Sequence, residues 1–194
     1  MAIVGLAHMI IAPFESHTDG QMPVYGTGME ATRMVSADLT YERSEVSLEA
    51  NNVTVESDNA ITGGSLSLSG DHFTGEARVM AFGAVKTKGK GDKDVYRTTA
   101  KSAPYLGCGI ILVEQLDGVV TYRATWIYRT QFGPQGISAR TKGKNTEYQT
   151  TTVTGKFMGV RVDENEPSFI EEAEFDTEGD AVDWLKTWAN MATV

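Results

Sequence analysis

Residues 103–132 read APYLGCGIILVEQLDGVVTYRATWIYRTQF. Two apolar runs flank Leu116-Asp117-Gly118, and an Asp-Gly pair tolerates the positive φ angles of a tight hairpin turn. The second run alternates. Val120, Tyr122, Ala124, Trp126, Tyr128 and Phe132 point one way, while Thr121, Arg123, Thr125, Arg129 and Gln131 point the other, with Ile127 the apolar exception. Successive strand side chains face opposite sides, so the aromatic set forms a core face and the polar set meets solvent or a partner. The stretch predicts a long antiparallel hairpin with no catalytic pattern on it.

Upstream, Met1 to Pro13 is apolar, lacks a basic leader and a small-residue cleavage site, and reads as a strand. A polar loop over Glu15–Met22 follows, then a strand over Met29–Tyr41. Arg43–Asn59 reads as short strands around a loop at Asn51-Asn52. Ser65-Leu66-Ser67-Leu68-Ser69 has strict period two, with hydroxyls on one face. Ala77–Phe82 fits a short helix or a strand. Lys86–Lys93 is a basic, glycine-rich loop without the spacing that cradles phosphate.

Downstream, Gly133–Gly136 ends the hairpin, Ile137–Asn145 reads as loop, and Glu147–Val162 reads as a threonine-rich strand. Asp163–Pro167 reads as an acidic linker. Thr177 caps a final helix carrying Glu178 and Asp180 in its first turn, and Ala181, Trp184, Leu185, Trp188 and Met191 or Ala192 form its apolar stripe. The chain is therefore expected to be mainly β: a β-sandwich or partly open barrel of about eight or nine strands with a C-terminal α-helix. Its 194 residues fit a single domain, 1–194, with a basic loop at 84–102 and an acidic segment at 163–183. The expected core includes Tyr122, Trp126, Tyr128, Phe132, Trp184, Leu185 and Trp188.

The 26 acidic and 17 basic residues are unevenly placed. Ten acids and no base lie between Asp163 and Asp183; without them and Lys186, the two signs balance at sixteen each. An acidic chain does not gain affinity for duplex DNA by counterion release, which argues against sequence-reading DNA binding. The one cysteine, Cys108, has no intrachain disulfide partner and reads as a buried thiol, in keeping with a reducing compartment. His8, His17 and His72 lack metal-ligand spacing, no Gly-x-Ser-x-Gly elbow is present, and no apolar run is long enough for a membrane helix. These readings point away from an enzyme, a cofactor, a metal and a membrane.

The order of several features carries a resemblance. An opening strand is followed by Tyr25-Gly26, then by Asn51-Asn52 and Asp58-Asn59 ahead of a glycine-bearing strand. Ala103-Pro104-Tyr105-Leu106-Gly107-Cys108-Gly109 enters the hairpin, Trp126 precedes Phe132, Thr150 to Gly155 is threonine-rich, and Trp184-Leu185 lies in the last helix. Across nearly the whole chain this resembles the major tail (tail tube) proteins of bacteriophages with long, non-contractile tails, in particular the phi13-type group. The resemblance implies a tail-tube-like fold and no enzymatic activity. It implies a structural virion protein that self-assembles into stacked, hexameric rings, the hollow tube through which DNA passes on ejection. Its implied partners are further copies of itself, the tape measure, tail terminator and distal tail proteins, and phage DNA passing without sequence-specific binding. Its implied place is the virion tail, assembled in the host bacterial cytoplasm.

A neutral body with one basic loop and one acidic segment suits contacts between identical subunits. The candidates are Lys86, Lys88, Lys90 and Lys93 against Asp163, Glu164, Glu166, Glu171, Glu172 and Glu174. Arg123 and Arg129 would need acidic partners on a lumen face, or their strand belongs to an outer sheet, and the second is preferred. The competing expectation is a β-sandwich module that binds carbohydrate or a receptor through exposed aromatics near Tyr122, Trp126 and Tyr128.

Overall fold

The computed structural model describes residues 2–50, 53–134, 136, 150–163 and 166–192, with backbone alone for 45–50 and 53–59. The elements in order are β1 (Ala2–Ser16), β2 (Val24–Tyr25), β3 (Met29–Thr32), β4 (Met34–Ala50), β5 (Val53–Gly70), α1 (Gly75–Phe82), β6 (Val85–Lys88), β7 (Asp94–Arg97), β8 (Leu106–Leu116), β9 (Val119–Phe132), β10 (Thr151–Met158), β11 (Ile170–Phe175) and α2 (Glu178–Trp188). The fold is mainly β with a C-terminal helix, as expected.

Nine strands form one antiparallel sheet in the order β2-β1-β8-β9-β10-β5-β4, with β3 also on β1 and β11 also on β9. The hairpin forms where the sequence places it: Asp117 and Gly118 take φ of 50° and 84°, and Leu116 pairs with Val119. Strand β9 is the branch point. Opposite β8, its first part, Tyr122–Ile127, pairs with β11, and its last part, Arg129–Phe132, pairs with β10.

The sheet has a core on each face. One holds Met9 and Ile11 of β1, Leu66 and Leu68 of β5, Leu106, Cys108, Ile127, Phe132 and the buried face of α1. The far end of the strand path reaches it too, since Ala37 and Leu39 of β4 pack there beside Met9 and Ile11 of β1. The sheet therefore curls around this core, yet β1 and β4 do not pair, and the barrel stays open. The other core holds Ile10, Tyr25, Ala124, Trp126 and Tyr128 under Ala181, Leu185 and Ala189 from α2 and the residue after it.

Gly107 and Gly109 make room for that second core. A Cβ on Gly107 would strike the Trp126 ring and come within 2.6 Å of Tyr25; one on Gly109 would lie 2.7 Å from Leu185. Both helices are capped as their sequences direct. The Thr74 hydroxyl accepts the Ala77 N–H and the Thr177 hydroxyl accepts the Asp180 N–H, each at 3.2 Å.

Four expectations need correction. The single aromatic face of β9 breaks near its end. Leu106 pairs with Thr130 but Cys108 with Ile127, so β9 carries one extra residue there, a β-bulge. Past the bulge the faces exchange, and Phe132 lies in the first core rather than with Trp126 and Tyr128. Second, Met29–Tyr41 breaks at Arg33 into β3 and β4, and Arg43–Asn59 is not a set of short strands: β4 and β5 run 17 and 18 residues, paired from Met34–Gly70 to Ala50–Val53. Third, Lys86–Lys93 is not a simple loop but most of a hairpin, β6 against β7 around a 3-10 turn at Lys90–Asp92. Fourth, the acidic segment contains strand β11, which hydrogen-bonds along β9. The expected loop over Ile137–Asn145, the start of the expected strand at Glu147, and the turn at Asn51-Asn52 lie outside the described residues.

Candidate interaction surfaces

Several of the charged candidates are engaged within the chain. Lys86 reaches Asp94 at 3.0 Å and Glu76 at 4.0 Å; Lys88 reaches Asp94 at 3.0 Å and Asp92 at 3.6 Å. The hydrogen bond to Asp94 raises the Lys86 pKa, and the two lysines lower that of Asp94. These acids sit on β7, in the turn before it and in the first turn of α1, not in the 163–176 segment. Lys90 and Lys93 are exposed at the hairpin tip.

Within the acidic segment, Glu171 accepts a short hydrogen bond from the Tyr128 hydroxyl, and Glu172 accepts one from Thr125 at 3.0 Å. Burial first, then Glu171, raises the Tyr128 pKa. Asp163 accepts the Glu166 N–H at 3.3 Å, Glu166 and Glu174 are exposed, and Glu164 lies outside the described residues. The structure thus does not bring the lysines and the acidic segment together within one chain.

Arg123 has the acidic partners that a polar face requires: Glu114 at 2.6 Å and Glu172 at 3.6 Å. Arg129 instead lies over the Tyr105 ring at 4.0 Å and the Phe14 ring at 5.3 Å. Both belong to a strand paired on both sides, not to a sheet edge.

Three open features remain, and sequence reading found none of them. The first is a two-stranded ribbon. Strand β10 pairs with β5 only over Gly64–Gly70, and β4 pairs only with β5. From Glu42 to Ala50 the pair projects alone, about 30 Å at roughly 3.3 Å per residue. Its outer backbone edges meet no other described strand. The only sequence signal was Val46, Leu48, Val53 and Val55 at near-alternate spacing amid polar residues.

The second is the apolar end of the main sheet. Ile3, Val4, Leu116, Val119 and Val120 are all exposed there, Val119 at 63%. The third is a groove of about 560 Å³ between β2 and α2, lined by Val24, Tyr25, Trp184, Trp188 and Asn190 among others. Trp184 and Trp188, expected in the core, stand half-buried at its margin and form the groove wall. Two large rings on an eleven-residue helix whose base is already filled by Ala181 and Leu185 were the available clue.

Among the described residues, the other titratable groups are accounted for by local structure. Asp71 and His72 line a small hollow, where the Asp71 carboxylate accepts the Thr32 hydroxyl at 3.1 Å and the Arg33 N–H at 3.3 Å, holding a turn. Cys108 is fully buried, and desolvation pushes its thiol up to about 12. Among the described residues, no three of His, Cys, Asp and Glu converge as a metal set, and no helix is long and apolar enough to cross a membrane. The chain matches no protein-family model, and no curated protein is significantly similar to it.

Proposed function

We propose that this chain is a self-assembling structural subunit of a phage tail tube, in which six copies form a ring and rings stack into a hollow conduit for DNA. One observation carries the proposal. The sheet curls without closing, and a bare β-ribbon of about 30 Å extends from it. An unpaired strand edge of that length is an aggregation hazard for a monomer and an asset for a chain whose edges pair with its neighbours. Identical subunits that meet through unlike surfaces make heterologous contacts, which close into rings or extend into filaments.

Other features fit. The net charge of −9 disfavours adhesion to DNA, as a conduit requires. On this reading the tape measure, terminator and distal proteins of the tail are further partners, and the protein belongs to the virion after assembly in the bacterial cytoplasm. The carbohydrate-binding alternative expects exposed aromatics near Tyr122, Trp126 and Tyr128; Trp126 is fully buried and Tyr128 nearly so, while Tyr122 is partly exposed.

Negative-stain microscopy of the purified protein tests the proposal. Rings or hollow tubes are the expected result. A strictly monodisperse monomer at high concentration and at both low and high salt would overturn it.

A further inference from the structure

We infer that copies of this chain join head to tail by docking the acidic β4–β5 ribbon of one on the basic β6–β7 hairpin of the next. This contact rests on the self-assembly proposed above and specifies its surfaces.

The hairpin is a sheet of its own, and neither β6 nor β7 pairs with any other described strand. Lys86 pairs with Tyr96 and Lys88 with Asp94 on one face. That face is used: the Tyr96 ring lies where a Cβ on Gly75, at the start of α1, would be. Val85 with Arg97 and Thr87 with Val95 make the other face, on which Val85 and Val95 are exposed. Residues 86–101 hold six basic and two acidic residues, a net of +4. Both acids, Asp92 and Asp94, are taken by Lys86 and Lys88. Lys90, Lys93, Arg97 and Lys101 are exposed and form no ion pair among the described residues.

The ribbon is the electrostatic opposite. Residues 42–62 hold Glu42, Glu45, Glu49, Glu56 and Asp58 against Arg43 alone, a net of −4. Its backbone edges pair with no other described strand. Strand register gives its direction. Gly64 pairs with Phe157, Phe157 with Thr130 and Thr130 with Leu106, so the ribbon leaves the row where β8 begins and runs the way β8 runs, toward the Asp117-Gly118 turn. The hairpin segment is rooted where β8 begins, since Gly83 lies beside Ala103 and Pro104. The ribbon therefore extends away from the root of its own hairpin. Unlike, complementary surfaces on identical molecules make a heterologous contact that propagates, and opposite charge fixes its register. The 163–176 segment is the poorer acidic partner, because Glu171 and Glu172 are already hydrogen-bonded to Tyr128 and Thr125 of β9.

Charge reversal tests the contact. One variant carries Lys90→Glu, Lys93→Glu, Arg97→Glu and Lys101→Glu; a second carries Glu45→Lys, Glu49→Lys, Glu56→Lys and Asp58→Lys. Each alone sets like charges against each other and should need on the order of tenfold more protein to associate in sedimentation velocity. Mixed in equal amounts, the two should associate again, because every ribbon then meets a hairpin of opposite sign. Either variant assembling like wild type would overturn the contact and leave the tube proposal standing. So would a mixture that stays apart although both variants keep the wild-type melting temperature. Should a variant not fold, the wild-type protein decides. Its association should weaken as salt rises, because the screening length falls from about 10 Å at about 0.1 M to about 3 Å at about 1 M. Association indifferent to salt would overturn the contact, and a wild-type protein that never leaves the monomer would sink both proposals.

Discussion

The Arg123 guanidinium lies 2.6 Å from the Glu114 carboxylate, on neighbouring strands of the central hairpin. Glu114 is only 6% exposed, so Arg123 holds a charge that the fold has largely withdrawn from water. Removing one partner of such a pair costs more than removing both, because the survivor stays desolvated and unpaired. Arg123→Leu should cost about 3 kcal/mol, at the low end for a buried pair because Arg123 is itself partly exposed. Arg123→Leu with Glu114→Leu should recover most of that loss. Urea denaturation of both variants checks it; a double variant no better than the single one would show that the pair is not coupled.

Gly107 sets the spacing between β8 and the aromatic layer beneath α2. Its missing Cβ leaves space for the Trp126 and Tyr25 rings, which themselves meet edge to face at 5.2 Å. Gly107→Ala should destabilise by about 1–3 kcal/mol, the range for overpacking a filled core. A fall in the urea midpoint, with a weakened near-ultraviolet circular dichroism signal from the displaced rings, is the expected readout.

Alkaline pH should weaken the fold. Burial raises the Cys108 pKa from its ordinary 9.0 to about 12, and Tyr25 and Tyr128 are raised above their ordinary 10.0. Each group keeps its proton in the folded chain at a pH where the unfolded chain releases it. The stability contributed is whole below about pH 9 and falls as pH rises beyond it. Melting temperatures measured from pH 7 to 11 should be level at first and then decline. Cys108→Ala should delay the onset toward pH 10, where the tyrosines take over.

The ribbon of β4 and β5 should be separable from the fold. Among the described residues, none between Glu42 and Gly63 contributes to either core. Replacing residues 43–61 by an Asn-Gly turn should leave the melting temperature within a few degrees of wild type. Microscopy should then show no rings or tubes. Intact tubes from the shortened protein would remove the ribbon from the assembly.

Short-range physics was legible in the residues alone. Asp117-Gly118 dictated a turn because both positions need positive φ, and Thr177 dictated a helix start because its hydroxyl can satisfy an end amide. Period two in Ser65–Ser69 placed Leu66 and Leu68 inward, where both are buried. Tertiary structure alone decided the rest. The bulge that sends Phe132 to the other face is a mismatch between two strands and leaves no mark on either one. Residues 170–175, which include Glu171, Glu172 and Glu174, form a strand because β9 offers hydrogen-bonding edges, the Tyr128 and Thr125 hydroxyls and Arg123, none of them adjacent in sequence. The long ribbon is a backbone pairing from Met34–Gly70 to Ala50–Val53, and in the sequence only Val46, Leu48, Val53 and Val55 at near-alternate spacing hint at it. Local signals act over a few residues; an edge, a groove and a bare tip exist only once the strands have found their neighbours.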